Sequence, residues 1–335
     1  MRLRIDVRGI AFLGVVGWDF IHYTTDDIKI EPPSLAIDVP NYFSRRLAVR
    51  RGTSRKPMPY LSIALKLAEG LLERHILPVF IFDGPPESLK RQPNPELIRS
   101  ARRLYKRYLE TRDPFDPHIA TSLSDSPALS MYFMAFHLKD VLAASGVPTI
   151  TAPSEAEMTA AALSRANRVG SVLSNDIDTL LFGSPQLTKG ISISKGTMTY
   201  ATLSQLKQEL NLDLMQLRDL AILSGCDFHD GLRNVGPRRG AIQLKRYEDL
   251  EGVLRANGVA HSEIDSFIVA RNTFYEADRI DPFMFELSLR PPNASQLKRQ
   301  LLPLETNKTV TKRIKGLTWA WKRFGRKQTT LEEIC

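Results

Sequence analysis

The sequence predicts a doubly wound α/β fold with a mostly parallel sheet, continued by a helical C-terminal region. Short β-branched or apolar runs alternate with segments of helical period through the first part of the chain, and helical patterns dominate after it. The apolar runs also end in an acidic residue or a turn, which is where ligands collect in an open parallel sheet.

Four such runs read as parallel strands: residues 35–39, 78–82, 148–152 and 171–174. Helical patterns occupy residues 58–75, 96–110, 128–145 and 155–167, between these runs, so strand and helix alternate. Residues 191–200 alternate around Lys195-Gly196, which predicts a β-hairpin, and Thr202 with Gln205 makes a capping box for the next helix. The Pro-bearing stretches 112–117 and 290–293 read as loops, and a polar tail is expected from Gly325 onward. The expected division is 1–110 and 111–265 for the two parts of the sheet-bearing core, 266–326 for the helical region and 327–335 for the tail.

With 335 residues, 43% of them hydrophobic and 25% charged, the chain can bury a large core and is neither disordered nor fibrous. Lys and Arg total 46 against 37 Asp and Glu, and the net charge of +9 favours a polyanionic partner such as nucleic acid. Two cysteines, Cys226 and Cys335, are too few for a disulfide framework or a thiolate zinc site and suit a reducing compartment. No apolar run is long enough for a transmembrane helix, so no membrane partner is expected. Arg2, Arg4 and Arg8 precede an apolar stretch, as in a signal peptide, but Asp19, Asp26 and Asp27 follow with no small-residue cleavage site, so this segment is read as part of the fold.

Seven carboxylates stand at expected strand ends or helix starts. Asp38 closes Ala36-Ile37-Asp38, Asp83 follows Phe80-Ile81-Phe82, and Asp176 and Asp178 follow Ser174-Asn175. Glu155 and Glu157 open the helix after the third strand, and Asp227 follows Leu223-Ser224-Gly225-Cys226. Individually they have structural explanations, since Ser154 and Glu157 can close a capping box, Asp176 an Asx turn and Asp83-Gly84 a tight turn. Together at one sheet edge they would repel strongly unless cations neutralised them, and hard oxygen donors select Mg²⁺ or Mn²⁺. Two such ions about 4 Å apart suit in-line displacement at phosphorus. A G-x-x-x-x-G-K-[ST] loop is absent, which argues against an ATPase.

At these residues the sequence resembles the flap endonuclease family of structure-specific 5′ nucleases, especially its archaeal members. The resemblance runs through Ala36-Ile37-Asp38, Phe82-Asp83-Gly84-Pro85-Pro86, Ala152-Pro153-Ser154-Glu155-Ala156-Glu157, Asp176-Ile177-Asp178 with Leu181-Phe182-Gly183-Ser184-Pro185, and Gly225-Cys226-Asp227. It implies a PIN-like nuclease core with a helical arch, acting on branched DNA near the junction of a 5′ single strand with duplex. It assigns Asp38, Asp83, Glu155 and Glu157 to one divalent ion and Asp176, Asp178 and Asp227 to the other, and places Lys90 at the scissile phosphate. A monomer is expected, prokaryotic and cytoplasmic or, if eukaryotic, nuclear. The chain departs from the family pattern at its start, where Gly9-Ile10 is the nearest counterpart of a Met-Gly beginning, and at the arch arginine, where Leu97 stands with Arg99 nearby.

The arch also has its own signature. Arg99, Arg102, Arg103, Lys106 and Arg107 fall on one helical face, and Leu97, Ala101, Leu104, Tyr105 and Tyr108 on another. With little internal pairing expected, these cations would meet a threaded strand. Residues 219–250 resemble a helix-hairpin-helix, in which Gly236, Arg238, Arg239 and the amides of a helix start face duplex phosphates, with K⁺ as a further cation. Asn234 takes the place of the first hairpin glycine, which its tolerance of positive φ permits. The tail Gln328-Thr329-Thr330-Leu331-Glu332-Glu333-Ile334-Cys335 resembles a sliding-clamp-docking motif through Gln328, Leu331 and Ile334, without its aromatic pair.

Overall fold

The computed structural model describes Trp18 and residues 21–50, 58–85 and 94–332, with the side chains of 45–50 and 326–332 left aside. The first seventeen residues, including the signal-like segment, and Lys90 and Ile334 lie outside the described residues.

Among the described residues, seven strands form one sheet in the order β1-β7-β6-β5-β2-β3-β4. The four expected strands are present as β2 (Ser34–Asp38), β3 (Leu77–Phe82), β4 (Thr149–Thr151) and β5 (Ser171–Leu173). They run parallel, with Ile37 opposite both Phe80 and Leu173, and Ile81 opposite Ile150. Every residue of β2 and β5 is buried, the condition that turns a strand pattern from alternating into continuous apolar. The chain leaves β2 toward β3 and β4, then returns to the other side of β2 as β5, so the sheet reverses its order at β2.

The hairpin turns at Gly196, whose φ of +71° is in the left-handed region. Its strands, β6 (Gln186–Ser192) and β7 (Thr197–Thr202), are antiparallel to each other. β6 starts earlier than expected and pairs in parallel with β5, so the hairpin extends the main sheet. Sequence reading missed the edge strand β1 (Thr24–Asp27), which pairs antiparallel with β7. Its polar Thr-Thr-Asp-Asp content has no strand periodicity, and its two carboxylates blunt an open sheet edge.

Helices α1 (Val39–Arg50) and α2 (Pro59–Glu73) separate β2 from β3. Three more, α3 (Pro95–Thr111), α4 (Pro117–Asp125) and α5 (Pro127–Ser145), separate β3 from β4. The expected loop at 112–117 is present as far as Asp116, and Pro95, Pro117 and Pro127 occupy first helical turns, where their missing N–H and fixed φ cost nothing. The side chains of Asn94, Asp116 and Ser126 accept from the free amides of Glu96, His118 and Leu129 respectively.

α6 (Ala156–Arg165) joins β4 to β5, and the single turn α7 (Asp178–Leu181) joins β5 to β6. The helical remainder comprises α8 (Leu203–Leu210), α9 (Leu214–Ser224), α10 (Pro237–Tyr247), α11 (Leu250–Ala256), α12 (His261–Asp278), α13 (Ala294–Leu301) and α14 (Asn307–Glu332). The cap of α8 forms only in half: the Thr202 hydroxyl accepts from the Gln205 amide at 3.2 Å, while the Gln205 side chain engages that hydroxyl rather than the Thr202 backbone. The expected tail is a correction, because α14 continues through Gly325 to Glu332 and contains Gln328 and Leu331. Lys, Arg, Gln and Leu favour a helix there, and one glycine costs only about 1 kcal/mol.

One apolar core joins Leu35, Phe80 and Leu138 to Ile314 and Leu317 of α14, so the C-terminal helix is packed onto α2 beside the sheet. A second core joins Leu180 and Phe182 to Leu220, Leu223 and Phe274 of α9 and α12.

Candidate active site and nucleic-acid interface

Asp38 ends β2 at the point where the sheet order reverses, and is almost fully buried. The Asn41 amide donates to its Oδ1 at 3.2 Å and the Ser174 hydroxyl to its Oδ2 at 2.9 Å. These bonds stabilise the carboxylate, but burial, followed by the charge of Asp83, pushes its pKa up to about 7, with Asp176 adding to the rise. The donors from Asn41 and Ser174 thus do not offset the burial of this carboxyl and the neighbouring acidic side chains.

Asp83 follows β3 and reaches the start of α6, where the Ala156 amide donates to its Oδ1 at 2.9 Å. That contact is possible because Gly84 lies against the β4–α6 connection: its N–H donates to Ser154 O at 2.6 Å, and an added Cβ would stand 2.1 Å from Ala152 O. Glu155 is the N-cap of α6 and Glu157 lies in its first turn, both buried. The alternative Ser154–Glu157 capping box does not form, since Ser154 Oγ accepts from the adjacent Glu155 amide and donates to Met158 Sδ.

Beyond β5 the Asp176 amide donates to Ser174 Oγ at 3.1 Å, and the Asp178 amide to Asp176 Oδ1 at 3.1 Å. This Asx turn winds directly into α7, so the turn and the acidic pair are one feature. Asp227 sits in a tight loop closed by Cys226 N–H to His229 O at 2.9 Å. Burial, then the nearby charge of Asp178, pushes the Cys226 thiol up to about 12, with Asp227 contributing. The free thiol is therefore protonated at neutral pH.

Asp38 lies within reach of the charges of Asp83 and Asp176, Asp83 binds the start of α6 beside Glu155 and Glu157, and Asp178 and Asp227 both act on Cys226. Among the described residues no three His, Cys, Asp or Glu side chains enclose a metal position by themselves. Carboxylate oxygens of this kind suit a hard divalent cation that keeps several of its waters. Sequence reading missed Asn41 and Ser174, which orient this edge. Ser174 was visible at the end of a strand run, whereas Asn41 had no local signal.

The basic helix is α3. Its apolar face behaves as expected, with Ala101, Leu104, Tyr105 and Tyr108 buried with Leu129 and Phe133 of α5. Its basic face is a correction. Arg99 and Arg103 pair with Glu96 at 2.9 and 2.6 Å, and Arg107 pairs with Asp116 at 2.8 Å. Arg102 lies over the Phe136 ring, 5.5 Å from its centroid. The partner of Arg107 is the N-cap of α4 and that of Arg102 sits on α5, beyond what one helix period displays. The pairs of Arg99 and Arg103 are exposed and weak, so these two can exchange Glu96 for a phosphate.

In the hairpin between α9 and α10, Asn234 has φ +61°, as its substitution for glycine required. Arg239 Nη1 donates to Asn234 O at 3.3 Å, and Arg238, Arg239 and Gly236 are exposed. An added Cβ on Gly236 would meet nothing within 4 Å, so solvent-side access, rather than packing, is what this glycine leaves open. Gly240 differs: its Cβ would stand 2.7 Å from Leu220 Cδ1, so it permits α10 to lie close on α9.

Flap endonuclease 1 of Ignicoccus hospitalis is 31% identical to this chain over 89% of its length and 91% of the relative's. The chain belongs to the flap endonuclease family. Within this family member, residues 146–227, from the end of α5 to Asp227, match the XPG I-region. Flap endonuclease 1 of Methanosphaera stadtmanae is 26% identical over 80% of the chain and 84% of its own length. The structure of flap endonuclease-1 from Methanococcus jannaschii covers 94% of the chain and 100% of its own with a TM-score of 0.68 at 22% identity, which supports the fold.

Proposed function

We propose that this flap endonuclease family member hydrolyses phosphodiester bonds in branched DNA, near the junction of a 5′ single strand with duplex, using two divalent cations at the acidic sheet edge. The observation that carries the reading is Asp38, a buried carboxyl at the sheet's reversal point whose pKa is lifted to about 7 by burial and then by Asp83. Cations there would relieve that charge. Asp38, Asp83, Glu155 and Glu157 would hold one, and Asp176, Asp178 and Asp227 the other. Bound ions of this kind polarise the phosphate, activate the attacking water and stabilise the leaving oxygen.

The chain's own residues supply positioning. Asn41 and Ser174 hold Asp38, while Gly84 and the Ala156 amide hold Asp83. Arg238, Arg239 and the amides at the start of α10 would hold duplex phosphates, with K⁺ as a partner, and Lys90 and the exposed arginines of α3 would meet the single strand. Gln328 and Leu331 of α14, with Ile334, would dock a sliding clamp.

The test is single-turnover cleavage of end-labelled flap, nicked, bubble and four-way-junction DNAs in Mg²⁺, with an EDTA control. Cleavage near the flap junction, abolished in Asp176→Ala while DNA affinity is retained, supports the reading. Failure to cut any branched DNA, or wild-type cleavage by Asp176→Ala at saturating Mg²⁺, refutes it.

A further inference from the structure

Asp178 is carried by α7, a helix of one turn, which has almost no stability of its own. What holds this turn is visible from the fate of its carbonyls. Asp178 O accepts from the Phe182 amide at 2.8 Å, Leu180 O from Gly183 at 2.9 Å and Thr179 O from Ser184 at 3.2 Å. The next two carbonyls have side-chain donors instead. Arg218 Nε donates to Leu181 O at 2.8 Å, and Arg165 Nη1 donates to Phe182 O.

Both arginines meet one carboxylate on a different helix. Asp278, the last residue of α12, takes a two-pronged pair from Arg218 at 2.7 and 2.8 Å and lies 3.4 Å from Arg165. Arg218 is only 2% exposed and Asp278 38%, so the pair runs from the interior to the surface. The guanidinium also lies over Phe274 and Tyr275. Gly183 makes room for the second arginine, since its φ is +89° and an added Cβ would stand 2.7 Å from Arg165 Cδ.

We infer that Arg218 and Asp278 are positioning residues: they clamp the carbonyl end of α7 to α12 and thereby set where Asp178 stands in the acidic cluster. Two cations at a helix C-terminus oppose its dipole favourably, and the planar fork of Arg218 addresses a backbone oxygen and a carboxylate at once. A four-residue helix transmits a shift at Leu181 directly to Asp178. This rests on the acidic edge as a metal site. The clamp, however, comes from residues 40 and 100 positions away in the chain, outside that edge.

The test compares wild type, Asp278→Asn and Arg218→Met. Asp278→Asn keeps shape and a hydrogen-bond acceptor, and its site is partly exposed, so it decides the matter if Arg218→Met fails to fold. Three quantities are read: Mn²⁺ binding to the DNA-free protein by calorimetry, flap-DNA affinity in Ca²⁺, and the Mg²⁺ concentration giving half-maximal single-turnover cleavage. Loss of support behind a metal ligand typically weakens metal affinity by about tenfold or more. The expected result is a loss of that order in Mn²⁺ affinity and a matching rise in the Mg²⁺ requirement, with DNA affinity within about twofold of wild type. Folded variants with wild-type Mn²⁺ affinity and Mg²⁺ requirement overturn the clamp alone. Absence of Mn²⁺ uptake by the wild type overturns the metal-site reading and the clamp with it.

Discussion

His137 offers a quantitative test of how α2, α3 and α5 are locked together. Its ring is fully buried, with Tyr60 Oη 3.1 Å from Nδ1 and the Tyr108 ring 4.9 Å from its own by centroids. Nε2 has no hydrogen-bond partner among the described residues. Burial, and secondarily the charge of Arg112, lowers its pKa from 6.5 to about 3. The native protein therefore keeps this imidazole neutral while the unfolded chain protonates it. Because the folded pKa is depressed, the stability is present above pH 6.5 and is lost as pH falls toward 3. From pH 7 to pH 5 this one group removes about 2 kcal/mol. His137→Met abolishes the titration. Urea unfolding of both proteins at the two pH values should show the variant less stable at pH 7 through altered packing, but losing about 2 kcal/mol less than wild type on going to pH 5. An equal acid-side loss in both proteins would refute the assignment of His137 as a buried neutral group.

Gly84→Ala should destabilise the protein by about 1–3 kcal/mol and reduce cleavage, because the new methyl meets the Ala152 carbonyl oxygen at 2.1 Å beside Asp83; an unchanged thermal midpoint would show that the chain yields there. Replacing Arg238 and Arg239 with Glu should weaken binding to branched duplex DNA and reduce the salt slope by about 1 per lost phosphate contact, with cleavage recovering at high protein concentration. Unchanged affinity and slope in a folded variant would make the hairpin a plain structural turn. Calorimetric titration of the cognate sliding clamp should detect weak binding to the full chain and none to a chain ending at Lys327, whereas equal binding by both would remove the tail from the interface.

Much of the candidate site is readable from residue order because its signals are local. An apolar run closing on Asp38 or Asp83 is at once a strand and a strand end, and the Ser174-Asn175-Asp176 turn declares itself by composition. Parallel pairing of buried strands then brings those ends to one edge without further instruction. The hairpin at Gly196 and positive φ at Asn234 are equally local, set by which residues tolerate left-handed backbone. The edge strand β1 was not readable, since four polar residues gain strand geometry only from the β7 ladder beside them.

What the sequence by itself determined is the order of the four parallel strands and of the main helices between them, the candidate metal donors and the hairpin positions that take left-handed backbone. Tertiary structure alone decided their charge state and their supports. Burial plus the fields of Asp83 and Asp176 lifts Asp38, and the packing of α3 on α5 brings Arg102 over Phe136. The meeting of α9 with α12 brings Arg218 to Asp278, 60 residues apart. The physical reason is range: backbone preference and hydrophobic period act over a few neighbours, whereas desolvation and ion pairing depend on which faces the folded chain presses together.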